Sequence, residues 1–245
     1  MLLFISSALA FTPYDITAIE KKLEQISEYR KHRSLDYYPT IPEAGYQQAA
    51  KGGVSTGLIS VESHNIQIAY GVAIFDIKLE QLYNAVNDEL KHTGMTPVDY
   101  TQIIKGAPCQ HGRQVLMHMP VPLLANRWWV TTQRNNQALY SKSKGHVAEL
   151  SWDGITDINS LKLSEEAKKK IDGAVYVSFN KGAWLFIKLD EEHTMAEYFS
   201  WSDPGGSIPD TLKSYAASFT ADSIKDTFRA METYAKENEP DCHFF

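Results

Sequence analysis

Cysteine is scarce in this chain: two in 245 residues, Cys109 and Cys242. That excludes a small scaffold stapled by several disulfides and leaves the core to apolar packing. Glycine and proline, at 14 and 10, are too few for a collagen or linker composition. A basic excess is also missing. Lys and Arg total 24 against 30 Asp and Glu, a formal net charge of −6, so nucleic acid is not an expected partner. The one dense basic run, Lys168-Lys169-Lys170, follows Glu165-Glu166 and reads as a solvated helix face. There is no Gly-x-Ser-x-Gly, no Gly-rich phosphate loop and no His-Glu-x-x-His. Spacing alone groups no Ser, His and Asp into a triad. No catalytic residue, cofactor or metal is therefore expected.

What the chain does have is apolar bulk. Residues of the apolar class make up 43%, and thirteen Tyr, ten Phe and five Trp are among them. Such a composition suits one globular domain with a large core, and aromatic rings serve equally to fill a core or to line an apolar cavity. Residues 1–10 are apolar and end in Ala8-Leu9-Ala10, the small-residue pattern that a signal peptidase accepts. About ten apolar residues are too few to span a membrane. The expectation is a signal peptide over 1–10 and an exported protein, periplasmic or secreted, starting near Phe11. In such a compartment Cys109 and Cys242 either pair or remain two unrelated thiols, because nothing local fixes their geometry. Cys109-Gln110-His111 and Cys242-His243 lack the spacing of a zinc site.

Periodicity then orders the elements. Ile16, Ile19, Leu23, Ile26 and Tyr29 form one stripe of a helix over Asp15–Ser34, and residues 35–53 read as an irregular connection. Val54–Glu62 and Ile66–Phe75 read as strands around Ser63-His64-Asn65, and a helix follows from Asp76 to about His92. Strands are expected over Tyr100–Gly106, Arg113–Met119, Arg127–Asn135 and Lys144–Asp153, with a short helix over Ser164–Ile171. Ala174–Asn180 and Ala183–Leu189 flank Asn180-Lys181-Gly182, a hairpin signature, and Met195–Trp201 is a last strand. Pro209 opens a long helix to about Glu237, with room for a bend near Ala221. That order is α+β with a mostly antiparallel sheet. Its economical solution is a curved sheet wrapped around the C-terminal helix, with a hydrophobic cavity between them.

Three stretches are similar to the START family of lipid-transfer domains, within the helix-grip superfamily. Ile66–Asp76 leading into Leu79–Asp88 resembles the family's second long strand and following helix. Met119-Pro120-Val121-Pro122 through Asn126-Arg127-Trp128-Trp129 resembles its proline-containing turn and Arg-led strand, with Trp128 where Asp is common. Tyr198–Trp201, Asp203-Pro204-Gly205-Gly206 and Pro209 resemble its last strand, turn and C-terminal helix start. The resemblance spans roughly Val54 to Glu237. It implies residues 11–53 as an N-terminal helix and connection packed on the domain, 54–237 as the START-like domain and 238–245 as a tail.

The function that follows is binding, and possibly transfer, of a hydrophobic small molecule, most simply a lipid, by a monomer that touches membranes transiently. Expected ligand-facing residues are His118, Arg134, Tyr198, Leu212, Tyr215, Phe219, Ile224 and Phe228. Arg127, Asp203, Pro204, Gly205 and Gly206 are expected to build the turn, with Arg127 clamping it through an acid such as Asp203. The family's sterol-binding branch has a buried acid–base pair at its pocket floor; no such pair can be placed here, and Gln133 stands about where the base would be. The alternative is a helix-grip enzyme, cyclase- or hydrolase-like, using His118, Arg134, Glu149 or Tyr198. A third reading is an interaction module whose space under the helix is filled by side chains.

Overall fold

Alternating apolar residues, rich in β-branched and aromatic side chains, build one sheet with two buried faces. The computed structural model describes residues 13–60, 67–206 and 208–244. The expected signal segment, residues 1–10, and the Ser63-His64-Asn65 turn lie outside the described residues. The strands are β1 (Ser55–Ile59), β2 (Ile68–Phe75), β3 (Tyr100–Lys105), β4 (Arg113–Met119), β5 (Arg127–Asn135), β6 (Val147–Gly154), β7 (Val175–Tyr176), β8 (Phe179–Lys188) and β9 (Thr194–Asp203). Across the sheet they run β1-β2-β9-β8-β6-β5-β4-β3, all neighbours antiparallel, while β7 pairs parallel with the start of β5. The helices are α1 (Ile16–Gln25), α2 (Ser27–Arg30), α3 (Glu43–Ala50), α4 (Leu79–Asn87), α5 (Gln137–Lys142), α6 (Glu165–Ile171) and α7 (Lys213–Glu237). No described helix is long and apolar enough to cross a membrane.

Three expectations are corrected, and α5 adds an element between two expected strands. The first helix is interrupted at Ile26, between α1 and α2. The connection 35–53 contains α3, which starts after Pro42 with Glu43 in its first turn. The chain before β6 contains α5, capped by the Asn136 side chain on Leu139 N–H at 3.0 Å. Asn180-Lys181-Gly182 is no turn but lies within β8, near its start. Gly182 is there because a Cβ would lie 2.1 Å from the Trp152 ring and 2.3 Å from the Phe199 carbonyl. The glycine admits a ring; it does not reverse the chain.

On the outer face Val72, Glu197, Leu185 and Glu149 form one cross-strand row on β2, β9, β8 and β6. The N-terminal segment covers it with Ile19, Ile26, Ile41, Ala49 and Ala50. The two fully buried carboxylates in that row are met by two arginines from the same segment. Arg33 Nε donates to Glu149 at 2.9 Å, and its guanidinium stacks 3.3 Å from the Tyr38 ring centroid. Ser34, Tyr38 and Asn136 also donate to Glu149. Arg30 and Tyr46 donate to Glu197. Burial alone would raise both glutamate pKa values, but the arginines and these donors overrule it and hold them below the ordinary 4.5.

The sheet's β3–β4 turn is tied to the chain terminus. Cys109 and Cys242 form a disulfide across 133 positions, anchoring the segment after α7. Pairing also removes both thiols from any metal reading.

Both anchors can be tested. Arg33→Ala leaves Glu149 a buried charge without its counter-ion, so stability should fall by about 3–5 kcal/mol at pH 7, measured by urea unfolding. The lowered glutamate pKa values give stabilisation that is complete above 4.5 and lost as the pH falls through the folded values. The gap between wild type and variant should therefore close in acid. For the disulfide, the double variant Cys109→Ser/Cys242→Ser should lose about 2–4 kcal/mol. Amide exchange should quicken in residues 238–244 before it does in the sheet.

Candidate functional site in the cavity under the C-terminal helix

The inner face of the sheet carries small side chains where α7 sits and large ones beside it. Gly71 on β2 is the closest approach: a Cβ there would lie 2.7 Å from Ile224 and 2.9 Å from Phe228. Phe228 fills that seat among Trp184, Phe75 and Tyr198, with ring centroids 4.7, 5.9 and 6.4 Å away. Beyond it, the C-terminal part of α7 is fixed to α4 and the chain that follows. Tyr234 donates to Asp88 at 2.7 Å, and Gln81 donates to the Ala235 carbonyl at 2.6 Å. The N-terminal part is held less closely. Tyr215 and Phe219 stack at 6.2 Å and remain half-buried. Under this part lies a cavity of about 290 Å³.

The cavity is walled mainly by apolar groups. Trp152, Trp184 and Tyr198 form one aromatic side, and Met117, Met119 and Trp129 form the other. α7 contributes Phe219, Ile224 and Met231, along with Thr220, Ser223 and Thr227. Trp152 satisfies its buried N–H on Asn180 at 2.9 Å. Burial raises the Tyr198 pKa, which suits a wall ring and not a proton-transfer group.

Polar groups gather at the two ends of β5. At one end Gln133 and Arg113 are cross-strand partners on the inner face. Arg113 is fully buried and gives two N–H groups to Glu89, one of them at 2.7 Å. This is an acid–base pair at the cavity floor, formed by residues that local spacing does not link. Gln133 is 6% exposed; its Nε2 donates to Thr131 at 3.3 Å and its Oε1 has no partner among the described residues. His92 stands nearby, its Nε2 against the Ala85 carbonyl and its ring 5.3 Å from Tyr234. Burial pulls its pKa down to about 4, so it is neutral at pH 7.

At the other end Arg127 holds the turn before α7. It donates to the carbonyls of Pro204 at 2.6 Å, Gly205 at 3.4 Å and Ala125. The clamp thus grips backbone carbonyls, and Asp203 instead accepts from Gly205 N–H at 2.9 Å. Gly205 and Gly206 have φ of +63° and +67°, the left-handed region that glycine enters freely.

Of the residues expected at the ligand, Tyr198, Phe219 and Ile224 line the cavity. Phe228 lies in the seat beside it, while Leu212 and Tyr215 stand at the helix start outside the wall. His118 and Arg134 are corrections: both point to the outer face. His118 Nδ1 is 2.6 Å from Asp99, and Arg134 donates to Asp153 at 2.8 Å. Strand alternation explains both, since neighbours on one strand face opposite sides. Met117 and Met119 enter the cavity, so His118 between them cannot; Gln133 enters, so Arg134 does not. Glu149 is likewise on the outer face, under the N-terminal segment. Gln133, which the sequence places about where a pocket-floor base would stand, does face the cavity; the residues missed were the Glu89–Arg113 pair, Trp152 and Trp184. Alternation through β4, β6 and β8 was the available signal for all but Glu89.

No protein-family model matches the chain, and no curated protein sequence does. Solved structures do share its fold. Human StAR-related lipid transfer protein 5 is 16% identical with a TM-score of 0.60, covering 90% of this chain and 97% of its own. A STAR-related lipid transfer protein from Xanthomonas axonopodis is 17% identical with a TM-score of 0.58, covering 76% and 94%. Zhui aromatase/cyclase from Streptomyces sp. R1128 is 11% identical with a TM-score of 0.51, covering 70% and 94%. The chain therefore has the helix-grip fold of StAR-related lipid-transfer domains: a sheet closed over a C-terminal helix.

The seat at Gly71 is testable. Gly71→Val must push Ile224 and Phe228 off the sheet, and overpacking of this kind costs about 1–3 kcal/mol. A melting temperature equal to that of the wild type would show that α7 does not rest there.

Proposed function

We propose that this protein binds a hydrophobic small molecule, a lipid in the broad sense, in the cavity under α7, and carries it between surfaces. The observation that carries this reading is the cavity itself: walls mainly of aromatic, aliphatic and sulfur-containing side chains with hydroxyls among them, charged groups at the two ends of β5, and a helix covering it that is fixed at one end. Burial supplies the affinity. A cavity of about 290 Å³ has room for about ten groups of methylene size. At ~0.8 kcal/mol per buried methylene the gross gain is roughly 8 kcal/mol.

Exchange requires the cover to open, and the anchors favour its N-terminal part. Thr96, Pro97, Phe219 and Ser223 border both the cavity and an open groove between α7 and the loops at 95–97 and 120–122. Gly205 and Gly206 supply a flexible joint just before the helix. The Cys109–Cys242 disulfide supports the idea that this takes place outside the cytoplasm, where such bonds persist.

An enzyme reading finds less support. His118, Arg134 and Glu149 lie outside the cavity; Glu89 is neutralised by Arg113, and His92 faces a backbone carbonyl. The fold is shared with an aromatase/cyclase, but the side chains here do not converge as a nucleophile and base would.

Delipidated protein mixed with a total lipid extract should return a one-to-one complex by native mass spectrometry. Uptake should also change tryptophan emission, because Trp129, Trp152 and Trp184 line the cavity. Ser223→Trp, which places a ring at the mouth, should cut uptake roughly tenfold while leaving the melting temperature in place. A wild-type protein that extracts nothing would overturn the reading.

A further inference from the structure

Resting on that reading of the cavity, we infer that the bound molecule is compact and carries an uncharged hydroxyl group at the Gln133 end of the cavity, and that Gln133 receives that group. The first argument is charge. Among the described residues lining the cavity, Arg127 is the arginine, and it stands at the opposite end of β5 from Gln133, donating to three backbone carbonyls. At the Gln133 end Arg113 is matched by a carboxylate: Nε and Nη2 donate to Glu89, Nη2 also to Asn87, and Nη1 to the Gln110 carbonyl. A carboxylate or phosphate entering there would meet no free cation and would lie beside the Glu89 carboxylate. Burying an unpaired charge is among the most costly changes a protein interior can undergo.

The second argument is an unmet hydrogen bond. The Gln133 amide satisfies one end on Thr131 and leaves the other without a partner among the described residues. A buried polar group left so costs about 1–3 kcal/mol. Turning the amide over exchanges the two ends without removing the need. A hydroxyl is the neutral group that suits either orientation, since it both donates and accepts. The third argument is size: space for about ten methylene-sized groups between the walls suits one short chain or a compact ring system.

Three probes with the same hydrocarbon body separate these statements: 1-decanol, decanoate and decane, each used at pH 8 to displace Nile red from the delipidated full-length protein. Decanol should displace the dye at a concentration lower than decanoate by roughly tenfold or more. In Gln133→Leu the ratio of decanol to decane affinity should fall roughly tenfold, with decane little changed. If that variant does not fold, Gln133→Met, of the same length, takes its place, and the headgroup comparison on unaltered protein stands alone. Decanoate binding as tightly as decanol overturns the inference about charge. A decanol preference that survives in the variant overturns the role of Gln133. If Nile red binds and a two-chain phosphatidylcholine displaces it better than decanol, the size argument fails while the cavity reading holds. If neither the dye nor any probe binds, the cavity reading fails and takes the inference with it.

Discussion

The contact of Phe228 and Ile224 with the bare backbone of Gly71 sets the geometry of everything on the inner face. A helix can come this close to a sheet only where the strand lacks a Cβ. The neighbouring inner-face residues are small too, with Ala69 and Ala73 on β2 and Ala196 on β9. A few residues away β6 and β8 place Trp152 and Trp184, and there α7 meets the sheet through the Phe228 ring instead of through bare backbone. The helix therefore lies close over the small side chains and is held off by rings over the large ones, and the cavity lies beside that contact. A uniform inner face would give either a filled core or a detached helix. The gradient in side-chain size is what produces a walled space.

The outer face solves a different problem. Glu149 and Glu197 take charge into the interior, a choice that adds little net stability compared with apolar residues of equal volume. What it adds is register. The N-terminal segment can dock only where Arg30 reaches one carboxylate and Arg33 the other, and a displaced segment leaves two buried charges unmet. Between that clamp and the apolar cover from α1 and α3, β2 is buried along its whole length on both faces. The seat of α7 is thus on a strand that is buried throughout.

Much of this architecture could be read from periodicity. β2, β4, β5 and α7 lie close to where their apolar spacing places them, because each has a long face to bury. The short helices α3 and α5 could not be read so, having few apolar positions and weak contrast with the polar chain around them. Gly182 was misread for a physical reason: local turn chemistry cannot register a tryptophan ring that arrives from the next strand. The site was less legible than the fold. Its residues come from separate elements, and Glu89 meets Arg113 only because α4 ends beside β4. The error at His118 was one of phase. The alternation that made β4 a strand already put His118 opposite its two methionine neighbours.

The uneven fastening of α7 bears on how a carrier can hold a ligand firmly and still release it. Opening costs whatever contacts must break, and these differ along the helix. Its C-terminal part has buried Met231, Tyr234 and Ala235, side-chain hydrogen bonds to α4, and a disulfide just beyond it. Its N-terminal part has half-buried Tyr215 and Phe219 and a diglycine joint before it. Local openings follow the cheaper route, so the N-terminal part can lift while the rest stays folded. In the proposed role, the cost of stripping the ligand's hydrocarbon from the walls falls once a second apolar surface stands at the mouth. In that role, release at a lipid surface would then need no chemical step.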